Sequence, residues 1–258
     1  MRPARGLVLI LVFLVVGAIY AYGFEGGGHQ ARLARHVLST AVQIVAPLVA
    51  VLGCLAATRA YAPGDRERLV WIAGGAAALA WAAGRVVFAG YQWWGGTAVP
   101  YPSLADGFFV AFYVLLGLAL GLEIRLVAPM VERPVRLGLF ALGLAAWAIG
   151  FVRVVEPIMM SPVPFVEKAL ATFYPTAAVF LVPAGLLPAL GFRGGTSAYV
   201  WVAVALAAVC LAIASLGYAL LTWYHLYSEV HSINALWILG FVLLAIGGFW
   251  QRMVQEEV

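Results

Sequence analysis

Charge is what this chain has least of. Only 10% of its 258 residues are Asp, Glu, Lys or Arg, and lysine occurs once, at Lys168. A soluble domain carries about 25% charged residues to cover its surface, so a water-clad globule is excluded. Cysteine is nearly missing as well. Cys54 and Cys210 both sit in apolar runs, which gives no disulfide framework and no reading of redox compartment. No Walker phosphate loop, Gly-x-Ser-x-Gly elbow, HExxH spacing or plausible Ser/His/Asp set occurs, so the common hydrolase chemistries have no foothold. No linker or low-complexity stretch marks a second domain, and no segment has the composition of a soluble catalytic domain.

What is present is apolar. Hydrophobic residues make up 65% of the chain and the mean hydropathy is +1.01. Runs of about 20 apolar residues cross a hydrocarbon layer about 30 Å thick as helices. Eight such spans are predicted, at about 6–23, 37–58, 69–90, 103–125, 135–158, 166–190, 198–224 and 232–250. The separators carry turn or charge signals: Glu25-Gly-Gly-Gly28, Pro63-Gly-Asp-Arg-Glu-Arg68, Trp94 to Pro100, Glu132-Arg-Pro134, Ser161-Pro-Val-Pro164 and Arg193-Gly-Gly195. The expected fold is all-α, a polytopic membrane helical bundle of about eight transmembrane helices in one integral membrane domain, 1–258. The basic start and Ala21-Tyr-Gly23 also fit a cleaved signal peptide. The first apolar run exceeds the roughly 7–15 residues of such a core, which favours an uncleaved span.

Basic residues set the expected orientation. Arg2, Arg5, Arg59, Arg66, Arg68, Arg125, Arg133, Arg136, Arg193 and Arg252 fall on one side, against Arg32, Arg35, Arg85, Arg153 and Lys168 on the other. Both termini are therefore expected in the cytoplasm. This pattern explains the net charge of +4 without nucleic acid. Abundant Ala, Gly, Arg and Val beside a single lysine suit a bacterial cytoplasmic membrane.

Ionisable residues inside spans are costly and mark function by default. Arg85 near the outer end of the third span and Asp106 near the start of the fourth are expected to pair. With Arg153, Glu156, Tyr91 and Tyr101 they are expected to frame an outward-facing polar pocket, which Glu167 and Lys168 adjoin. Competing with this, Ser103-Leu-Ala-Asp106 is a capping box before an apolar run, which by itself accounts for Ser103 and Asp106. The outer aromatics Tyr91, Trp93, Trp94, Tyr101, Trp223, Tyr224 and Tyr227 suit an interfacial belt, or the lining of an apolar ligand site. His225, Glu229 and His231 are weak zinc candidates, since His231 is out of helical register with the other two. No cofactor is implied, and no histidine lies deep enough in a span to ligate haem. Pro175, Pro183 and Pro188 are expected to bend the sixth span.

Weak repeats run through the chain. Trp81-Ala-Ala-Gly84 is echoed by Trp147-Ala-Ile-Gly150, Tyr101-Pro-Ser103 by Tyr174-Pro-Thr176, and a faint third copy runs from Leu216-Gly217 to Asn234-Ala-Leu-Trp237. Pro100-Tyr-Pro-Ser-Leu-Ala-Asp-Gly-Phe-Phe-Val-Ala-Phe-Tyr113, with the Trp81 and Tyr174 motifs and Asn234 to Phe241, resembles a bacterial multi-span sensory region. That region precedes GGDEF-type diguanylate cyclase, EAL or histidine-kinase domains. The second copy has Ala177 and Ala178 in place of an acid matching Asp106, and the third has Asn234. The resemblance implies a sensing or scaffold module, cut from a longer protein or working through a partner.

The expected function is a non-enzymatic sensory or accessory module that binds a small or lipid-like ligand at its outer face. Membrane lipids and a cytoplasmic or membrane protein are the expected partners. The alternatives are a structural subunit of a larger membrane complex, a transporter component and a lipid-active membrane enzyme. A transporter would need a continuous polar path, which the apolar inner halves of the spans argue against.

Overall fold

The computed structural model describes residues 2–23, 28–94, 99–256, with side chains from Val12 onward. The turn signals at Glu25, Gly26 and Gly27, and at Gly95 to Ala98, lie outside the described residues. The helices are α1 (Arg2–Tyr22), α2 (His29–Thr58), α3 (Arg66–Trp94), α4 (Leu104–Val127), α5 (Arg133–Gly150), α6 (Glu156–Met160), α7 (Phe165–Gly191), α8 (Ala198–Trp223) and α9 (Asn234–Glu256). A π-turn, Phe151–Val155, joins α5 to α6 in one rod. Such a turn is a recognised cause of bending. Seven of these rods are long and apolar enough to cross a membrane, and the apolar Val12–Tyr22 precedes them. The chain is an all-α, multi-pass membrane bundle.

Six helices close into a ring. Neighbours pack in the order α2, α3, α4, α7, α8, α9 and back to α2. α1 lies outside against α2 and the edge of α9, and the α5–α6 rod lies outside against α7. The ring's centre is filled. Trp81 of α3 and Trp237 of α9 sit with ring centroids 4.4 Å apart, and Phe112, Tyr113 and Phe241 crowd around them. Phe112 and Phe241 are fully enclosed. Aromatic pairs at such spacings add about 0.5–1.5 kcal/mol each beyond their burial.

Lipid tails are as apolar as leucine, so helices associate in a membrane through close packing and hydrogen bonds. The α2–α9 contact shows the first. A Cβ on Gly53 would stand 2.5 Å from the Ala245 carbonyl oxygen, and one on Gly248 would overlap the Gly53 backbone. Only hydrogen at both positions lets the two backbones meet.

The repeats are not equivalent in space. Trp81 and Trp237 build the centre, while Trp147 lies on the peripheral α5, donating its indole N–H to Thr176 Oγ1 at 3.1 Å. Of α5 only Gly143 is buried. The third span is longer than expected: α3 runs to Trp94, which leaves Arg85 nine residues, about 14 Å, from that end. α7 continues as a helix through Pro175, Pro183 and Pro188.

Candidate functional site

A cluster of buried polar side chains sits at the end where α1, α3 and α8 finish and α2, α4 and α9 begin. The connection between α8 and α9, residues 224–233, folds down into that end. It turns at His225, whose φ of 57° is left-handed, and Leu226 and Tyr227 both donate their N–H to the Leu221 carbonyl. Irregular backbone at membrane depth persists only where protein or a wet cavity satisfies it. Here protein does. Ser39 of α2 donates its hydroxyl to the Glu229 carbonyl at 2.7 Å, and Asn234 donates its amide to the Ser228 and Glu229 carbonyls at 3.3 and 3.1 Å.

Glu229 thereby reaches Arg85. Arg85 Nη2 donates to Glu229 Oε2 at 3.0 Å, with side chains only 7% and 12% exposed. The pairing expected between Arg85 and Asp106 is thus replaced. A loop carboxylate 144 positions away supplies the counter-charge. Asp106 is committed to Ser103 and to Tyr174 of α7 instead, and the infolded loop supplies the acid that meets Arg85.

Proton counting shows how the cluster is held. Ser39 spends its one proton on Glu229 and accepts from Tyr22 (3.0 Å) and from Gln43 Nε2 (2.9 Å), while Gln43 also donates to Tyr22 at 3.0 Å. Tyr227 has one proton for two acceptors, Glu229 Oε1 at 3.2 Å and Asn234 Oδ1 at 3.1 Å. Arg85 Nε is buried and has no hydrogen-bond partner. Its guanidinium lies over the Phe88 ring, 4.9 Å from the centroid. Burial and the Glu229 carboxylate push the Tyr227 phenol well above its ordinary range, so that hydroxyl is a donor at any physiological pH.

Asp106 has other work. Its Oδ2 accepts from the Ser103 N–H at 2.7 Å and hydroxyl at 3.0 Å, completing the capping box that opens α4. Its Oδ1 accepts from Tyr174 of α7 at 2.8 Å. One carboxylate thus caps α4 and ties it to α7. Tyr101 is half-exposed beside it, its phenol raised by partial burial and by the Asp106 charge. Tyr91 is half-buried on α3.

Arg153 and Glu156 are exposed on the α5–α6 rod, and no described hydrogen bond or ion pair links them to Arg85. They flank the bundle rather than frame its centre. Lys168 is fixed to the Met159 carbonyl at 2.8 Å. The zinc candidates do not converge. His225 is exposed, Glu229 faces Arg85, and His231 Nδ1 accepts from the Ile233 N–H at 3.1 Å. Among the described residues no three His, Cys, Asp or Glu side chains form a metal-binding group.

No family model, curated protein or solved structure matches this chain. What the site can do follows from its own atoms. It offers a buried cation with a spare donor, a carboxylate on a loop, and hydroxyl and amide donors around them. It holds no activated nucleophile. Sequence reasoning missed Tyr22, Ser39 and Gln43, and it weighed Tyr227 and Glu229 for other roles. One signal was readable: Ser39 and Gln43 stand four apart on one face of α2, inside the apolar run from 37 to 58, where polar residues carry a cost.

Proposed function

We propose that the chain is a non-enzymatic membrane sensory or accessory module that binds a small polar or lipid-like ligand at the Arg85–Glu229 cluster. The observation that carries this reading is the ion pair itself, buried at one end of an apolar bundle and bridged by a loop. A buried pair is weak evidence for stability, because desolvation offsets its attraction. Its placement on a loop that contacts α2, α3, α8 and α9 gives it a means of moving helices. Binding that favours a displaced loop would shift those helices, and the shift needs only a difference in affinity between two states.

The orientation belongs to this reading. The excess of arginine at the opposite end favours a cytoplasmic placement of that end and of both termini in a bacterial inner membrane, with the cluster outward. The sensory regions that the Tyr101–Tyr113 motif resembles suit the same arrangement, with a partner at the cytoplasmic face. The packed Trp81–Trp237 centre favours this reading over transport, which needs a polar path. A second reading, a subunit of a larger membrane complex, draws on α5, which buries only Gly143 and leaves Phe140, Leu142, Leu144 and Ile149 exposed.

Native mass spectrometry of the protein released from mild detergent tests both. A small adduct retained by the wild type and lost in Arg85→Met supports the ligand site. A stoichiometric protein partner with no adduct, and no thermal shift across a panel of lipids and small polar compounds, would sink it in favour of the second reading.

A further inference from the structure

Arg85 is incompletely used. Glu229 engages it end-on, through the single Nη2–Oε2 bond, while the Nε–H beside it is buried with no acceptor. Guanidinium groups bind carboxylates and phosphates most strongly side-on, through two parallel N–H donors. The chain's own carboxylate therefore satisfies the charge of Arg85 and leaves half of its fork unfilled. A buried donor without an acceptor is destabilising, and it points to an acceptor that the loop does not supply.

Glu229 is also held in a way that permits exchange. Its Oε1 receives only a proton that Tyr227 shares with Asn234. The backbone holding it is a connection between helices, fixed at Glu229 and Ser228 by Ser39 and Asn234. Three donors would meet an incoming anion: Arg85 Nε and Nη2, and the hydroxyl of Tyr227 once Glu229 leaves.

We infer that Glu229 is an internal stand-in for an external anion, a carboxylate or phosphate group that displaces it from Arg85, engages Nε and Nη2 side-on, and frees the 224–233 loop. This rests on the ligand-binding reading above and gives that site its ligand class and its mode of regulation. The anionic group belongs to a free small molecule or to a lipid headgroup, and the two sources are separable by experiment.

The protein in nanodiscs of zwitterionic lipid is titrated with acetate, succinate and inorganic phosphate at constant ionic strength. A parallel set replaces part of the lipid with phosphatidylglycerol. The melting midpoint reports binding, and hydrogen exchange across 224–233 reports the loop. In the wild type, an effective anion raises both the midpoint and the exchange of the loop. Glu229→Gln removes the competitor, so half-saturation falls at least tenfold, with the loop already exchanging faster. Arg85→Lys keeps the charge but not the fork, and half-saturation rises at least tenfold. Response to the soluble anions assigns a free ligand, and response to phosphatidylglycerol alone assigns a headgroup. The inference is overturned if Glu229→Gln binds every anion no more tightly than the wild type, or if Arg85→Lys leaves the response unchanged. An adduct lost on Arg85→Met together with no anion response in Glu229→Gln would keep the site and discard the anion.

Discussion

Arg85 on α3 and Glu229 on the α8–α9 connection meet at 3.0 Å inside the bundle, although 144 positions separate them in sequence. Glu229 reaches that depth because Ser39 and Asn234 take up the carbonyls of the folded-in loop. The ion pair and the loop conformation thus depend on each other.

Coupling between the two residues should be large. Arg85→Met leaves the Glu229 carboxylate buried without a counter-charge, a change worth about 3–5 kcal/mol. Adding Glu229→Gln in the same protein removes the stranded charge and should recover more than about 1 kcal/mol of that loss. Reversible unfolding in mixed micelles of the wild type, both single variants and the double variant measures the cycle. Additive losses would mean that the two side chains do not interact.

Asp106 should behave as a cap and a tie rather than as a partner of Arg85. Asp106→Ala is expected to cost about 0.5–2 kcal/mol for the cap, plus about 1 kcal/mol for the Tyr174 hydrogen bond. Tyr174→Phe should cost only the second part. A double-mutant cycle between Asp106 and Arg85 should give a coupling below about 0.5 kcal/mol; a coupling like that of Arg85 with Glu229 would contradict the geometry.

The α2–α9 contact tolerates no side chain at Gly248, where a Cβ would overlap the Gly53 backbone. Gly248→Val should lower stability by about 1–3 kcal/mol or more through overpacking. Gly107 has open space around its α-carbon, and Gly107→Ala should be neutral or slightly stabilising by helix propensity. Melting curves of the two variants side by side separate close approach from a general sensitivity of glycines.

Alkaline pH should act through Tyr61, in the connection between α2 and α3. Burial first, then the carboxylates of Glu123 and Glu67, push its phenol from 10.0 up to about 12, and it accepts from Gln251 Nε2 at 2.7 Å. The raised value means that the folded state holds this proton more tightly than the unfolded chain does. The corresponding stability is present in full below pH 10 and is lost as pH rises through about 12. The phenolate difference spectrum between wild type and Tyr61→Phe should therefore centre near 12; a transition near 10 would mean that Tyr61 is free in water.

By itself the sequence determined the solvent and the class of fold. Sparse charge and spans of about 20 apolar residues leave helices in lipid as the one economical answer, because backbone groups in hydrocarbon must bond within their own segment. It also determined the Ser103–Asp106 cap, since a capping box is local in the chain. Arg85 was legible as costly in an apolar helix, but its partner was not. Asp106 was the nearest acid by helix register, and register does not describe a loop that folds back into the bundle. Likewise Trp81 and Trp147 open matching motifs, yet one fills the centre and the other rides on the periphery. Which helices close the ring depends on where glycines such as Gly53 and Gly248 let backbones meet, and on hydrogen bonds between distant segments. Those terms arise only when the helices are brought together, so only the tertiary structure decided them.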